Sequence, residues 1–344
     1  MKLNRRKVLG GIGALSVTSA IGMPNVARGA GKIELTVANG SPLKHVLSSL
    51  GTTPWIDRVN ELTNGEVEIN YFPAAQLAKL KELLAAVQNG VADIAPIPIG
   101  YASDKMPLNG VSALPGLGKT SKEIVNAHAE ALKEGPLRKE FDANNIHPMY
   151  VMAFPPYQLV GMEADWRTLD DIQGKVLRSA GGTMDLVVSA LGATPASLPA
   201  GDMYLALQRG TVDGTISAFA SVKGYNIQEI AKSMSANASF GTFVNILACN
   251  DKKWASLPKE VQDALDQAGR DVTASASASM DKSTDELKTE FQGAGMEIYD
   301  FAPDEIAKIN GRLSSVQDDW VKRLDGRGLP AGEVLDTYKS LIGA

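Results

Sequence analysis

The spacing of apolar and polar positions switches repeatedly between a period of two and a helical period, which predicts alternating strands and helices. Ile33–Glu34–Leu35–Thr36–Val37–Ala38 alternates and predicts a strand, closed by the turn-prone Asn39–Gly40–Ser41–Pro42. Trp55, Val59 and Leu62 fall on one helical face, which Thr63–Asn64–Gly65 ends. Val67–Phe72 predicts a second strand, Leu80–Gln88 a helix stopped by Asn89–Gly90, and Asp93–Ile97 a short buried strand. That β-α-β-α-β order implies a parallel sheet. Ile124–Phe141 is a further helical stretch. A second set of elements begins at the apolar run Pro148–Phe154. It continues through a short strand Gly174–Arg178, helices over Met184–Leu191 and Met203–Arg209, and a strand and loop over Asp213–Phe219. Val244–Asn250 predicts a late strand. A long helix runs from Leu257 to about Gly293, and Pro303–Ala344 is polar and helical. In the middle of the long helix, Thr273–Ser279 is small and polar. It suits either a close helix contact or a solvated face.

Composition narrows the class. A length of 344 residues suggests two domains, and 44% hydrophobic residues allow a full core, excluding general disorder. A net charge of −5 argues against nucleic acid as a partner. A single Cys excludes an internal disulfide framework, and three scattered His argue against a histidine-built metal site, so neither metal nor cofactor is expected. Two α/β units without a linker suggest lobes joined by several chain crossings.

Residues 1–30 have the layout of an export signal: a basic start (Lys2, Arg5, Arg6, Lys7), a weakly apolar run Val8–Met23, and small residues at Ala27–Arg28–Gly29–Ala30. The Arg5–Arg6 pair before Val8–Leu9 resembles a twin-arginine signal, and a Sec signal is the alternative. No later stretch reaches the roughly 18 apolar residues of a membrane span. Cys249 is far from the signal and leaves no lipobox, so a soluble periplasmic product is expected.

Catalytic motifs are weak. Neither G-x-S-x-G nor H-E-x-x-H occurs, and Gly110–Thr120 lacks the spacing of a phosphate loop. Gly181–Gly182 before a helix suits either an anion cradle or an ordinary turn. Asp202 and Asp213 have no evident partner acid. His45, His128 and His147 read as solvated or capping residues, and Cys249 as a small core residue. Arg178 stands at a strand end before Ser-Ala-Gly-Gly, where α/β proteins bind ligands, and its planar fork suits a carboxylate. Read from spacing alone, a surface pairing with Asp170 or Asp171 is the better reading.

Ordered motifs from Ile33 to Pro258 resemble the solute-binding proteins of TRAP transporters (DctP type). The N-terminal part carries Trp55-x-x-x-Val59-x-x-Leu62–Thr63–Asn64–Gly65, Phe72–Pro73, Gln76–Leu77, Val87–Gln88–Asn89–Gly90-x-x-Asp93–Ile94 and Leu114–Pro115. The later part carries Leu169–Asp170–Asp171–Ile172-x-Gly174–Lys175-x-x-Arg178 and Leu191–Gly192–Ala193–Thr194–Pro195. Then come Asp202–Met203–Tyr204-x-x-Leu207–Gln208-x-Gly210-x-Val212–Asp213–Gly214 and Asn250-x-x-x-Trp254-x-x-Leu257–Pro258.

The resemblance implies an α/β two-lobe periplasmic-binding-protein (Venus flytrap) fold with several hinge crossings and a long late helix. The expected lobes are residues 31–155 with about 244–283, and 156–243 with about 284–344. It implies a non-enzymatic, monomeric receptor that closes on an organic acid and delivers it to the small and large membrane subunits of a TRAP permease. A twin-arginine-exported enzyme and an ABC-type receptor are the alternatives. Arg178 occupies the position that pairs the substrate carboxylate. The family's other ligand-facing segments correspond here to Asn39–Ser41, Pro96–Tyr101, Phe154–Gln158, Ser217–Phe219 and Thr242–Asn245. The candidates are therefore Arg178, Gln158, Tyr157, Phe154, Asn39, Ser41, Tyr101, Ser217, Ala218, Phe219 and Asn245. Gln158 stands where sialic-acid-binding members place a second arginine. Thr215–Phe219 departs from the polar residues many members carry there. One arginine flanked by Phe154, Tyr157 and Phe219 points to a small monocarboxylate with an apolar or aromatic body.

Overall fold

Eleven strands form two sheets in the computed structural model, which describes residues 32–164 and 166–343; the expected export signal lies outside them. In chain order the strands are β1 (Ile33–Ala38), β2 (Val67–Phe72), β3 (Ile94–Pro98), β4 (Ile146–Ala153), β5 (Gln158–Gly161) and β6 (Val176–Ser179). They continue with β7 (Thr194–Ser197), β8 (Gly214–Ser217), β9 (Ser233–Ser235), β10 (Val244–Asn250) and β11 (Glu297–Tyr299). The first sheet has the order β2-β1-β3-β10-β4 and the second β11-β9-β5-β8-β6-β7.

The expected parallel sheet holds for β1, β2 and β3. It fails for β10, which returns from the second half of the chain and lies antiparallel between β3 and β4. The second sheet is mixed as well, with β5 antiparallel to β8 and β9. Strands β5, β7, β9 and β11 have only three or four residues each and gave no readable period in the sequence. The predicted stretch Ile124–Phe141 is two helices, Ser121–Ala131 and Pro136–Ala143, separated where Gly135 adopts φ 88°.

The chain passes between the sheets after β4, again between β9 and β10, and a third time along the helix Lys259–Gly293. Those 35 residues span about 52 Å. Val261, Leu265, Ala268 and Val272 bury one face against the first sheet's core, while Phe291 at the far end packs in the second. The small segment Thr273–Ser279 is both things the sequence allowed. Ala276 and Ser277 are buried, and Ala274, Ser275, Ala278 and Ser279 face solvent. Thr273 Oγ1 accepts the edge-strand N–H of Val151 at 3.2 Å. The boundary expected near 284 needs one correction. The last helix, Ala331–Ile342, packs not on the second sheet but on Ser121–Ala131 of the first, where Tyr338 is buried with its ring 5.9 Å from His128. No described helix is long and apolar enough to cross a membrane.

Gly269 marks the closest approach of the long helix to the first sheet: a Cβ there would lie 2.2 Å from the carbonyl oxygen of Met149. Gly311, inside the helix Pro303–Asp325, has nothing within 4 Å of the same position. Replacing an interior helical glycine by alanine ordinarily stabilises by roughly 1 kcal/mol. Gly311→Ala should therefore raise the thermal midpoint and Gly269→Ala should lower it. A rise in both, measured by calorimetry, would show that the helix does not need this close contact.

Candidate functional site

Arg178 lies at the carboxyl end of β6, between β7 and β8, and is 3% exposed. The surface pairing that the sequence allowed does not occur. Asp171 accepts from Thr168 and from the backbone N–H of Arg167, closing a capping box at Thr168. None of the described ion pairs involves Arg178. Its guanidinium is held by neutral oxygens instead. Nε donates to the Leu198 carbonyl at 2.9 Å, and Nη2 donates to the Tyr101 hydroxyl at 2.9 Å. Tyr101 belongs to the short helix Ile99–Ala102 that follows β3, so this bond joins the two sheets. Nη1 has no hydrogen-bond partner among the described residues.

Aromatic side chains surround this cation. Tyr101 and Phe243 tilt against each other at 5.4 Å, His45 and Tyr225 at 4.7 Å, and Phe154 meets Tyr157 edge-on at 6.1 Å. With Asn245 they line a narrow cavity of about 20 Å³. The lobes thus lie nearly closed on it. No carboxylate of the described residues lines the cavity. Two lining atoms are buried without a partner: Nε2 of His45 and Oδ1 of Asn245.

His45 was expected to be solvated or capping; it is 1% exposed, so the solvated alternative fails, and its place depends on Gly224, where a Cβ would lie 2.3 Å from the imidazole. Its Nδ1 accepts the Leu47 N–H at 3.2 Å, which leaves the proton of the neutral ring on Nε2. Burial lowers its pKa to about 4, so it offers the cavity a neutral donor and no charge. His128 is likewise buried rather than solvated, with its pKa lowered to about 3 by desolvation. His147 stacks on Trp254 at 3.9 Å. Cys249 is a buried core residue, and desolvation raises its thiol pKa to about 12.

Of the residues singled out in the sequence, Arg178, Tyr101, Phe154, Tyr157 and Asn245 meet on this cavity. Others do not reach it. Gln158 spends its amide on the chain crossings: Oε1 accepts from Ser235 Oγ and Ala238 N, and Nε2 donates to the carbonyls of Ala238 and Pro156. Phe219 stacks on Phe291 at 5.9 Å inside the second core, and Ala218 faces a different cavity. Ser217 is buried in β8 opposite Gln158. Asn39 is consumed by Ser48, Thr52, Tyr71 and the N–H of Ser41, and so braces the loop that carries His45. At Gly181–Gly182 the N–H of Gly181 donates to Ser179 Oγ and those of Met184 and Asp185 to the carbonyls of Gly181 and Gly182, while Asp185 accepts from the hydroxyls of Ser179 and Ser197, which fits the ordinary turn. His45, Tyr225 and Phe243 were missed. Only Phe243, inside the ligand-facing segment Thr242–Asn245, carried a signal.

Comparison with known proteins agrees with this architecture. A family model described as "Bacterial extracellular solute-binding protein, family 7" (DctP) matches residues 43–323. The chain is 24% identical over 333 residues to the C4-dicarboxylate-binding periplasmic protein DctP of Rhodobacter capsulatus, covering 95% of this chain and 97% of that one. Among solved structures, a marine-metagenome TRAP solute-binding protein from an unidentified microbe, specific for aromatic acids and holding metahydroxyphenylacetate, superposes with a TM-score of 0.85 at 21% identity. That match covers 91% of this chain and 99% of the other. A TRAP solute-binding protein of Rhodoferax ferrireducens with copurified benzoate also gives 0.85, at 20% identity, covering 91% and 98%. At these identities the likeness is one of fold.

The buried imidazoles generate a pH dependence. The unfolded chain protonates both rings below about 6.5, the folded protein only below about 4 (His45) and 3 (His128). Stability should therefore fall as pH drops from 6.5 through 4, by up to about 3 kcal/mol for His45 alone. Melting curves across that window should be less pH-dependent for His45→Gln than for the parent. An unchanged slope would place a charged or solvated imidazole at this position.

Proposed function

We propose, on the premise that the chain belongs to the DctP family of bacterial extracellular solute-binding proteins, that it is a periplasmic receptor closing on a small aromatic monocarboxylate. The observation that carries this reading is a buried cation with no anion of its own: Arg178, with Nη1 uncommitted, inside an aromatic cavity that no carboxylate of the described residues lines. Burying an unpaired charge is costly, and a ligand carboxylate supplies the missing partner through a charge-assisted hydrogen bond. His45 Nε2 and the Asn245 side chain supply further polar contacts, and the rings of Phe154, Tyr157, Tyr225 and Phe243 enclose the body of the ligand.

The same chemistry selects against dicarboxylates. A second carboxylate in this cavity would meet a neutral His45 and aromatic faces, with no second cation to offset its desolvation. The benzoate and metahydroxyphenylacetate held by proteins of the same fold are ligands of this class. Tyr101 joins the site to closure, since its hydroxyl accepts from both Arg178 and the N–H of Ala200 across the two sheets. Delivery is to the small and large membrane subunits of a TRAP permease, after export directed by residues 1–30.

A thermal-shift series on the protein without residues 1–30 tests this. Benzoate and metahydroxyphenylacetate should raise the midpoint, by the equivalent of about 2.7 kcal/mol at a hundred times the dissociation constant, while succinate should not. Arg178→Ala and Arg178→Lys should keep the parent's circular dichroism and lose the shift. A benzoate shift that survives in both variants, or a larger shift with succinate, would overturn the assignment.

A further inference from the structure

A cavity wider than the one at Arg178 is present among the described residues. It lies behind the chain crossings, offers about 590 Å³ to water-sized spheres, and is open to solvent. The two cavities share a wall. In the crossing that joins β4 to β5, Phe154 and Tyr157 line the Arg178 cavity, whereas Pro155, Pro156 and Gln158 line the rear one. The return crossing does the same, with Ala236–Ser239 facing the rear and Phe243 the front. The rear cavity is completed by the loop Pro115–Lys119 beside the first sheet, by the long helix at Thr284 and Lys288, and by Leu313 and Gln317 of the helix Pro303–Asp325.

Its chemistry is one-sided. Lys119 and Lys288 approach from different elements, and no carboxylate is among the described lining residues. Lys288 pairs with Asp285, an exposed contact three residues away on its own helix that contributes little, and its Nζ lies 5.9 Å from the Phe219 ring centre. Pro115, Pro156, Phe219 and Leu313 give an apolar floor, and the Ser239 hydroxyl is buried without a partner. Two cations over an apolar floor suit an organic anion with an aromatic or aliphatic body.

We propose that this rear cavity is a second binding site, for an organic anion, and that its occupancy sets how tightly the front site closes. The rear cavity is far roomier than the front one, and the two crossings form the wall between them. A molecule bridging Lys119 on the first-sheet side and Ala236–Ser239 on the crossing holds that arrangement. It favours the closed form by its differential affinity, and by linkage the front ligand tightens the rear one equally. The coupling rests on the proposed role of Arg178; binding in the rear cavity does not.

Anilinonaphthalene sulfonate, a fluorescent anion with an apolar body, is a suitable probe. Titrated into the protein without residues 1–30 in saturating benzoate, it should bind at one equivalent. The Lys119→Gln/Lys288→Gln double variant should bind it at least about fivefold more weakly, and Arg178→Ala should bind it as the parent does without benzoate. The probe should also tighten benzoate binding in the parent and not in the double variant. Competition between probe and benzoate, unchanged probe affinity in the double variant, or no saturable binding would each overturn the rear site. Saturable, lysine-dependent binding that leaves benzoate affinity unchanged would overturn the coupling.

Discussion

A buried guanidinium without a counter-charge is the constraint on which the rest of this molecule depends. Arg178 is anchored by a carbonyl and a hydroxyl, both neutral, so its position is fixed while its charge is not neutralised. Taking a cation out of water without a partner is unfavourable. The fold sustains it because the anchoring oxygens come from both sides of the cleft: Leu198 next to β7, and Tyr101 after β3. The same bonds that hold the arginine also hold the two sheets together across the site, so in the proposed receptor ligand recognition and lobe closure are one interaction.

The helix Lys259–Gly293 and the crossings after β4 and β9 translate that interaction into a hinge. The helix belongs to both cores, with its apolar stripe against the first sheet and Phe291 in the second. Gln158 ties the two crossings to each other with its whole amide. A residue that the family resemblance placed against the ligand thus serves to keep the hinge in one piece. Phe154 and Pro155 are adjacent yet face different cavities, so the crossing is the wall between them.

Much of this was legible in the sequence, and the parts that were not have physical reasons. Strands such as β1, β2 and β10 have six or seven residues with a clear apolar pattern, and their bounds follow from it. Its strand end before Ser-Ala-Gly-Gly makes Arg178 a candidate, but spacing alone favours a surface pair with Asp170 or Asp171, and it is the family resemblance that singles the residue out. What lay around it could not be picked out. His45 sits in a polar loop and looks solvated; only the distant Gly224 makes room to bury it. Phe154, Pro155, Pro156, Tyr157 and Gln158 form one extended run, and nothing in the linear order says which members face the front cavity. Phe219 was assigned to the ligand from its place after β8, but an aromatic partner seventy-two residues away, Phe291, claims it for the core. The family match over residues 43–323 confirms the class of protein that the motif order suggested.

The central claim is that charge at Arg178, rather than aromatic fit, carries ligand affinity. Calorimetric titration of the protein without residues 1–30 with benzoate and with benzamide, its neutral counterpart of nearly the same shape, tests it most directly. Pairing a buried charge of this kind is worth roughly 2–5 kcal/mol, so benzamide should bind at least roughly thirtyfold more weakly than benzoate. Equal affinities would contradict the claim and leave the aromatic cavity as the sole source of recognition.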